Sequence, residues 1–486
     1  MKSRIRLRYS GLVMFISRVT SIITGLIFTI IITRNLSPQI FGVWQNVGDW
    51  VGYFSVAATV IPSWSLRFVA RGVEDAVETG VSFNLMLGGV LTLVYFLGAG
   101  FMGGLIGVGA MVFALASLQV LGLHLIAAFE AVANALKPEL IAYGQVLREV
   151  AKIGLAYLLI ISLKLGIVGA ILTVTIIYFF DTTYLASRLH WTLKFNWKLI
   201  KGWFKGSLLT LYDLLVSRLW SLDMLMLVLL IGVEARALFG AASLVAGLVG
   251  YAVSLSVGLY PRLLAGGGAW DVETAFKTTL MFAVPMTVGV IVYAEPYLTV
   301  LNPVYASARP VLITLALSFF LGCFTQIYRA VIYGSEKVDV EGNMNLIRLR
   351  RSTFFLLPTL GLVAAAIYLP TLYYMFSWVI KEPISASLVV AILALAFQIV
   401  WVIIFDKLSK KVIRFSLPIN NLAKYISAST LMGFVLSILP KPTRLLFLFA
   451  GTLLGALTYF LTLALIDLET RTIISKLIKV RRLQIG

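Results

Sequence analysis

About fourteen apolar runs, each long enough to cross a bilayer as a helix, alternate along the chain with short polar connections. A hydrocarbon core about 30 Å thick takes about 20 residues at the helical rise. The runs cover residues 10–33, 41–63, 81–103, 108–130, 143–163 and 165–187 in the first half of the chain. They continue over 206–231, 237–260, 275–298, 309–334, 353–379 and 384–406, and end with 421–440 and 443–466. Continuous runs, rather than short alternating segments, predict helices and not a β-barrel. The expected fold is therefore an all-α integral membrane protein.

The pattern also repeats. Shifting the chain by 198 positions aligns Phe41, Gly42, Val47, Val51, Gly52 and Tyr53 with Phe239, Gly240, Val245, Val249, Gly250 and Tyr251, and Pro62 and Pro261 follow one position out of phase. Each copy opens the second helix of its half. Six helices separate them, so the copies run parallel and the halves are expected to be related by an axis along the membrane normal. The expected domains are a six-helix lobe over 1–205 with an interfacial linker helix, a second lobe over 206–406, and an extra helix pair with a basic tail over 407–486.

Composition agrees with this picture: 60% of residues are hydrophobic and 13% charged, with mean hydropathy +0.97. With the amino terminus placed in the cytosol, Lys and Arg fall on cytosolic connections about four times as often as on outer ones, where Arg34, Lys164, Arg236, Arg309, Lys381, Lys441 and Arg444 lie. This orients the chain with both termini cytosolic and accounts for most of the net charge of +19 through contact with anionic headgroups. No nucleic-acid-binding module is visible, and no nucleic-acid partner is expected. The stretch from Trp191 to Phe204 places Lys194, Lys198, Lys201 and Lys205 opposite Trp197, Ile200, Trp203 and Phe204 at helical spacing, as an interfacial helix would. Thr470 to Leu483 has a similar mix and reads as a surface tail.

Enzymatic motifs are missing. Cys323 is the one cysteine, and His124 and His190 are the two histidines, which leaves no multi-cysteine or histidine-rich metal site. The Gly98–Gly103 run G-A-G-F-M-G has dinucleotide-fingerprint spacing, but it lies inside an apolar run with no preceding soluble strand, where small residues serve helix packing. No P-loop, G-x-S-x-G elbow or H-E-x-x-H helix occurs.

Candidate chemistry comes from charges inside the runs. A guanidinium in hydrocarbon costs roughly 2.5 to 3.5 kcal/mol on insertion scales, so each must snorkel to an end or face a polar interior. Arg329 sits near a cytosolic end and reads as a snorkelling residue. Arg148 and Lys152, four apart on one helix face, fit either account. Arg18 and Arg218 lie deeper, about 12 and 18 Å from the cytosolic ends of their runs, and imply a polar cavity and an anionic cargo. A structural pair between Arg18 and Asp49 is the other reading of Arg18. Asp213 and Asp223 flank Arg218 at five residues on either side, which is not helical pairing distance and requires different faces or a broken helix.

The run T-R-N-L-S-P-Q-I-F-G from Thr33 to Gly42 resembles the connection after the first helix in the polysaccharide-transporter family, the lipid-linked oligosaccharide flippases of the multidrug/oligosaccharidyl-lipid/polysaccharide exporter superfamily. Further echoes are Asp223, Phe239-Gly240, Tyr260-Pro261, Pro285, Glu295-Pro296, Tyr305 and the Tyr333–Lys337 run. The resemblance implies two six-helix bundles around a cavity that opens alternately to either side. Its cargo would be an oligosaccharide on a polyprenyl phosphate or diphosphate, moved from the cytosolic to the outer leaflet without covalent chemistry or a cofactor. Arg18, Arg218, Arg148 and Lys152 would bind phosphate. Asp49, Asp223, Asp213, Gln45 and Asn46 would supply cavity polarity or ion coupling, and Trp44, Trp50 and Tyr53 a wall for sugars. Membrane lipids are the other partners, and a monomer in the cell membrane is the expected state. By analogy with peptidoglycan-precursor flippases, residues 421–466 could hold a lipid tail.

Two alternatives stay open. A cation-coupled multidrug exporter of the same superfamily would hold organic cations with carboxylates, yet the span from Ser10 to Thr33 contains no Asp or Glu. A membrane-embedded glycosyl-transfer or polymerase enzyme would carry a large polar outer loop, whereas the outer connections here are short.

Overall fold

The computed structural model of the chain describes residues 7–264, 266–334 and 353–467, and among these the only regular structure is helical. The helices are α1 (Leu7–Asn35), α2 (Pro38–Phe54), α3 (Val60–Ala70), α4 (Ala76–Leu105), α5 (Ala110–Leu136), α6 (Glu139–Ala156), α7 (Gly166–Arg188), α8 (Trp197–Trp220) and α9 (Leu222–Leu230). They continue as α10 (Val233–Gly250), α11 (Leu259–Leu264), α12 (Ala269–Val292), α13 (Ala294–Leu301), α14 (Arg309–Gly334), α15 (Thr353–Tyr374), α16 (Pro383–Val412), α17 (Ile419–Ile438) and α18 (Leu445–Ile466). Each of the apolar runs becomes a long helix or two helices in line.

Nine helical stretches among the described residues are long and apolar enough to cross a membrane. The segments α6 and α8–α9 are not among them: charged residues lie within α6 and α8, and the break at Ser221 leaves α9 short. They are also the segments that form the polar clusters described below.

Helix breaks follow the repeat. After Tyr53 the second span breaks at Ser55, passes through a 3-10 turn (Val56–Thr59) and resumes as α3 with Pro62 in its first turn. After Gly250 the eighth span likewise passes through a 3-10 turn (Tyr251–Ser256) and resumes as α11, which contains Pro261. Proline has no N–H for the carbonyl four residues earlier. For Pro62 that carbonyl is Ala58, and the buried amide of Asn84 donates to it at 3.0 Å. For Pro285 within α12 it is Met281, and the Tyr459 hydroxyl donates to it at 2.6 Å. The fifth and eleventh spans share a different ending, a π-helical turn over Tyr157–Ser162 after α6 and over Met375–Val379 after α15.

By internal packing the chain forms two compact units: Met1–Ala237 with Phe355–Pro383, and Leu238–Phe354 with Ile384–Gly486. In the first, Val43, Val47 and Val51 of α2 pack with Tyr95, Ala99 and Met102 of α4, Phe113, Ala116 and Val120 of α5, and Ile171 of α7. In the second, Ala252, Ala283 and Cys323 form a core to which Phe282, Met286 and Phe320 add. There α17 and α18 are tied to α12 and α13 through Tyr459, through Tyr297–Thr452 (3.1 Å) and through Lys441–Glu295 (2.7 Å). Outward-facing apolar side chains such as Leu97 and Phe101 on α4 and Leu461 and Leu465 on α18 suit contact with acyl chains.

The helix expected over Trp191–Phe204 begins at Trp197 and runs on into the seventh span without interruption, while residues 190–196 are irregular. Asn196 caps it, accepting from Lys198 and Leu199 backbone N–H groups, and Trp203 is buried beside Phe68. The basic tail over Thr470–Leu483 and the Ser335–Lys337 end of the tenth span lie outside the described residues.

Candidate functional site

Two polar clusters lie within the first unit, and between them they hold most of the charged residues singled out from the sequence. The first surrounds the face of α2 that carries Gln45, Asp49, Gly52 and Tyr53. The seventh span breaks at Ser221, between α8 and α9, so that Arg218 and Asp223, five residues apart, lie on either side of the break. Side chains add to the backbone bonding at that break, where the Met224 N–H reaches the Ser221 carbonyl at 3.3 Å: the Tyr53 hydroxyl also donates to the Ser221 carbonyl, and the Asp223 carboxylate also accepts from the Met224 N–H at 2.6 Å. The other Asp223 oxygen accepts from the Tyr368 hydroxyl at 2.9 Å.

Tyr368 belongs to α15, which is laddered against α8. Tyr212 stacks on Phe355 and meets the Thr359 hydroxyl at 3.1 Å. The Trp220 ring stacks on Tyr368 with centroids 4.9 Å apart, and its indole N–H donates to the Gly361 carbonyl at 3.0 Å.

Asp49 is held by Arg236 from α10 in a two-bonded fork, Nε to Oδ2 at 2.7 Å and Nη2 to Oδ1 at 2.8 Å, while the same Nη2 also reaches Gln45 Oε1 at 3.4 Å. Gly42 lets α2 approach the start of α10 so closely that a Cβ there would collide with the Val233 carbonyl. Arg218 of α8 approaches α2 three residues beyond Asp49, its Nη1 3.3 Å from the position a Cβ on Gly52 would take. In contrast to Arg236, Arg218 makes no ion pair with any described residue, and its buried Nε has no hydrogen-bond partner. Tyr53 is within electrostatic reach of all four charges, Asp49, Asp223, Arg218 and Arg236.

The second cluster joins α1, α5, α6 and α7. Gln145, Arg148, Glu149 and Lys152 recur on one face of α6. Arg148 pairs with Asp181 of α7 and lies 3.8 Å from Glu130 of α5. Lys152 pairs with Glu149 at 2.5 Å, and Glu149 accepts from the Thr24 hydroxyl of α1 at 2.6 Å. Ser17 donates to Gln145 at 3.1 Å, and Gln145 donates to Ser21 at 2.9 Å. Lys152 also sits 5.3 Å from the centre of the Phe28 ring.

The structure thus brings together Arg218, Asp49, Asp223 and Gln45, and separately Arg148 and Lys152. Asp213 is half-buried on α8, about one and a half turns before Arg218. Asn46 is completely buried on α2, and neither its amide nitrogen nor its oxygen has a hydrogen-bond partner. Arg18 lies on α1, and its side chain is outside the described residues. Sequence reasoning missed Arg236 and Tyr368. Arg236 counts there as an outer-loop charge, but it is helical and only 7% exposed. The available signal was Asp49, a carboxylate in an apolar span that requires a counter-charge.

No protein-family model matches the sequence, and no curated protein matches it significantly. Solved structures do match. One is the lipid II flippase MurJ in an inward closed conformation, with TM-score 0.64 and 15% identity over 94% of this chain and 98% of that one. A second is a multidrug resistance MATE family transporter of the MOP superfamily, inward-facing, with TM-score 0.59 and 15% identity over 81% of this chain and 95% of that one. A third is a MOP superfamily transporter from Pyrococcus furiosus, described as having a binding pocket of reverse polarity that suggests a different function; its TM-score is 0.53 at 15% identity over 83% of this chain and 96% of that one. The chain has the all-helical membrane fold of these transporters and flippases.

Proposed function

We propose that the chain is an alternating-access flippase that moves a lipid-linked saccharide precursor, carried on a polyprenyl phosphate or diphosphate, from the cytosolic to the outer leaflet. The observation that carries this reading is Arg218, a permanent cation deep in an apolar span with no carboxylate partner among the described residues. A cation that is costly to hold in hydrocarbon and is left without a partner suits a mobile anion. A guanidinium fork matches a pair of phosphate oxygens, and the attraction strengthens where water is scarce.

Carboxylate chemistry points the same way. A multidrug exporter needs an available acid to hold an organic cation, yet Asp49 is bound by Arg236 and Asp223 by Tyr368 and a backbone N–H. The resemblance to a lipid II flippase supports a lipid-linked cargo, and the described reverse polarity of the Pyrococcus furiosus transporter supports a change of pocket charge on this fold. In this reading two six-helix lobes, 1–205 and 206–406, rock about the cargo, and the inside-negative potential favours outward movement of an anion by about 2.3 kcal/mol per charge per 100 mV.

The test is reconstitution into proteoliposomes with a fluorescent lipid-linked oligosaccharide, scoring the fraction accessible to an impermeant quencher. Transport by the wild type and its loss in Arg218→Gln are expected. Equal rates in the two would overturn the anion-binding role of Arg218.

A further inference from the structure

We infer that the Asp49 carboxylate is a resident stand-in for phosphate in the fork of Arg236, and that a diphosphate bridging Arg218 and Arg236 displaces it, so that cargo binding itself releases the ion pair that ties α2 to the first turn of α10. The inference rests on the reading of Arg218 as an anion ligand and adds Arg236 as a second one.

Arg236 is over nine-tenths buried, and both of its donor directions toward α2 are taken by the two oxygens of one carboxylate. That is the geometry in which a guanidinium also takes two oxygens of a phosphate. Arg218 approaches α2 at Gly52, and Arg236 at Asp49. Three residues along a helix are about 4.5 Å, less than one turn. Two guanidiniums that approach one helix less than a turn apart suit the two phosphoryl groups of a diphosphate, one to each cation, better than a single phosphate. Tyr53, the next residue after Gly52 on α2, is within electrostatic reach of both cations.

The exchange has a mechanical consequence. α2 is held to the segment from Ser221 to Arg236 by the Asp49 fork, by the Gln45 contact, by the Tyr53–Ser221 bond and by the fit of Gly42 against Val233. Only the first of these is an ion pair that an anion can compete for. A two-headed phosphate is the stronger competitor because it gains the unpaired Arg218 as well. Once Asp49 is released, the charge holding α2 at this point is gone, and the cargo has supplied the differential binding energy that any ligand-driven change of state requires.

The experiment measures binding of geranylgeranyl diphosphate to the purified full-length protein in detergent, with inorganic pyrophosphate and geranylgeraniol as parallel probes. Asp49→Asn keeps the shape of the side chain and removes the competing charge, and is expected to tighten diphosphate binding about tenfold. Arg236→Lys keeps the charge but loses the fork, and is expected to weaken it about tenfold. Pyrophosphate should follow the same order of variants if the site reads only the phosphate, whereas tight binding confined to the prenyl diphosphate identifies the lipid headgroup as its source. Asp49→Asn leaves a buried arginine unpaired and lowers stability, so the shift in melting temperature on adding the diphosphate is a second readout, and it should be larger in this variant than in the wild type. Unchanged or weaker binding in Asp49→Asn, with Arg218→Gln still impaired, would overturn the exchange and leave the functional reading standing. Indifference to all three substitutions would overturn both.

Discussion

The two polar clusters of the first unit are built from the same residue types and differ in how completely they are paired. Around α6, Arg148 and Lys152 both meet carboxylates, and three acids (Glu130, Glu149 and Asp181) face two cations. Around α2, two acids face two cations, but one acid is bound by neutral donors and one cation is left over. A completed network holds helices together; an incomplete one has capacity for something that arrives. The family resemblance implied phosphate binding by Arg218 and by Arg148 and Lys152, with snorkelling left open for the latter two, and pairing is what separates their expected roles.

The largest expected effects break this contrast directly. Arg218→Gln should lower transport about 100-fold, the loss of roughly two charge-assisted hydrogen bonds, while leaving the melting temperature within a few degrees of wild type. Arg148→Gln should do the reverse. It strands Asp181, whose side chain is only 2% exposed, and breaking one partner of a buried pair costs about 3 to 5 kcal/mol. Transport per folded molecule should then fall by no more than a few-fold. Replacing Arg148 and Asp181 together with leucines should recover much of the stability. Lost transport in an Arg148→Gln variant that folds normally would show that the α6 cluster also handles cargo.

A smaller effect is expected at Gly52. A methyl group placed 3.3 Å from Arg218 Nη1 sits closer than ordinary packing allows and must push the guanidinium aside. Gly52→Ala should raise the concentration of lipid-linked donor needed for half-maximal transport about fivefold, a cost near 1 kcal/mol, with no change in folded yield. Glycine was visible here as part of the repeat, but its reason was not. Gly250 occupies the matching place in the second copy and faces the ring of Phe319 at 3.4 Å instead, so one repeated glycine accommodates a cation and the other an aromatic ring.

That difference shows what a linear pattern can carry. Span positions and the repeat were legible, because hydropathy acts within one segment, whereas the breaks at Ser55 and Tyr251 fall inside runs that read as continuous, with Pro62 and Pro261 as the local trace of them. Partners were not. Arg236 lies four residues after Gly232, close enough to a helix end to resemble a snorkelling outer charge, and only its hydrogen bonds to Asp49 show that it faces α2. The spacing of Asp213, Arg218 and Asp223 left two readings open, different faces or a broken helix; the structure breaks the helix between Arg218 and Asp223 and keeps Asp213 and Arg218 on one helix. The identity of the groups that close the break, Tyr53 and Asp223 itself, depends on tertiary contacts.

Tyr368 gives a milder test of the same cluster. Its hydroxyl is one of two donors to Asp223, and Tyr368→Phe keeps the stacking on Trp220 while removing that bond. A stability loss of about 1 to 2 kcal/mol is expected for the deprived buried carboxylate, with diphosphate binding unchanged, because Asp223 is not asked to contact the anion. A change in binding without a change in stability would move Asp223 from the frame of the site into the site.

The smallest effect belongs to an ion pair outside the apolar spans, where the contrast between paired and unpaired charge should nearly vanish. Asp75, in the turn before α4, accepts from Lys194 and from the Asn196 amide. The Lys194 ammonium beside it, helped by that amide, holds its carboxyl below the ordinary carboxylate range. A carboxyl depressed on folding contributes stability above its unfolded value of 3.8 and loses it as pH falls through the folded value. Asp75→Asn should therefore differ from wild type by no more than about 1 °C in melting temperature at pH 7, given how little exposed pairs contribute. The difference should shrink as pH falls through the folded value, where the wild-type carboxyl becomes neutral too. Comparing variant and wild type at each pH cancels the other carboxylates. A difference that widens toward acid would mean that the Asp75 side chain anchors the start of α8 through something other than its charge, and that pairing is the wrong measure for ranking the ionic residues of this chain.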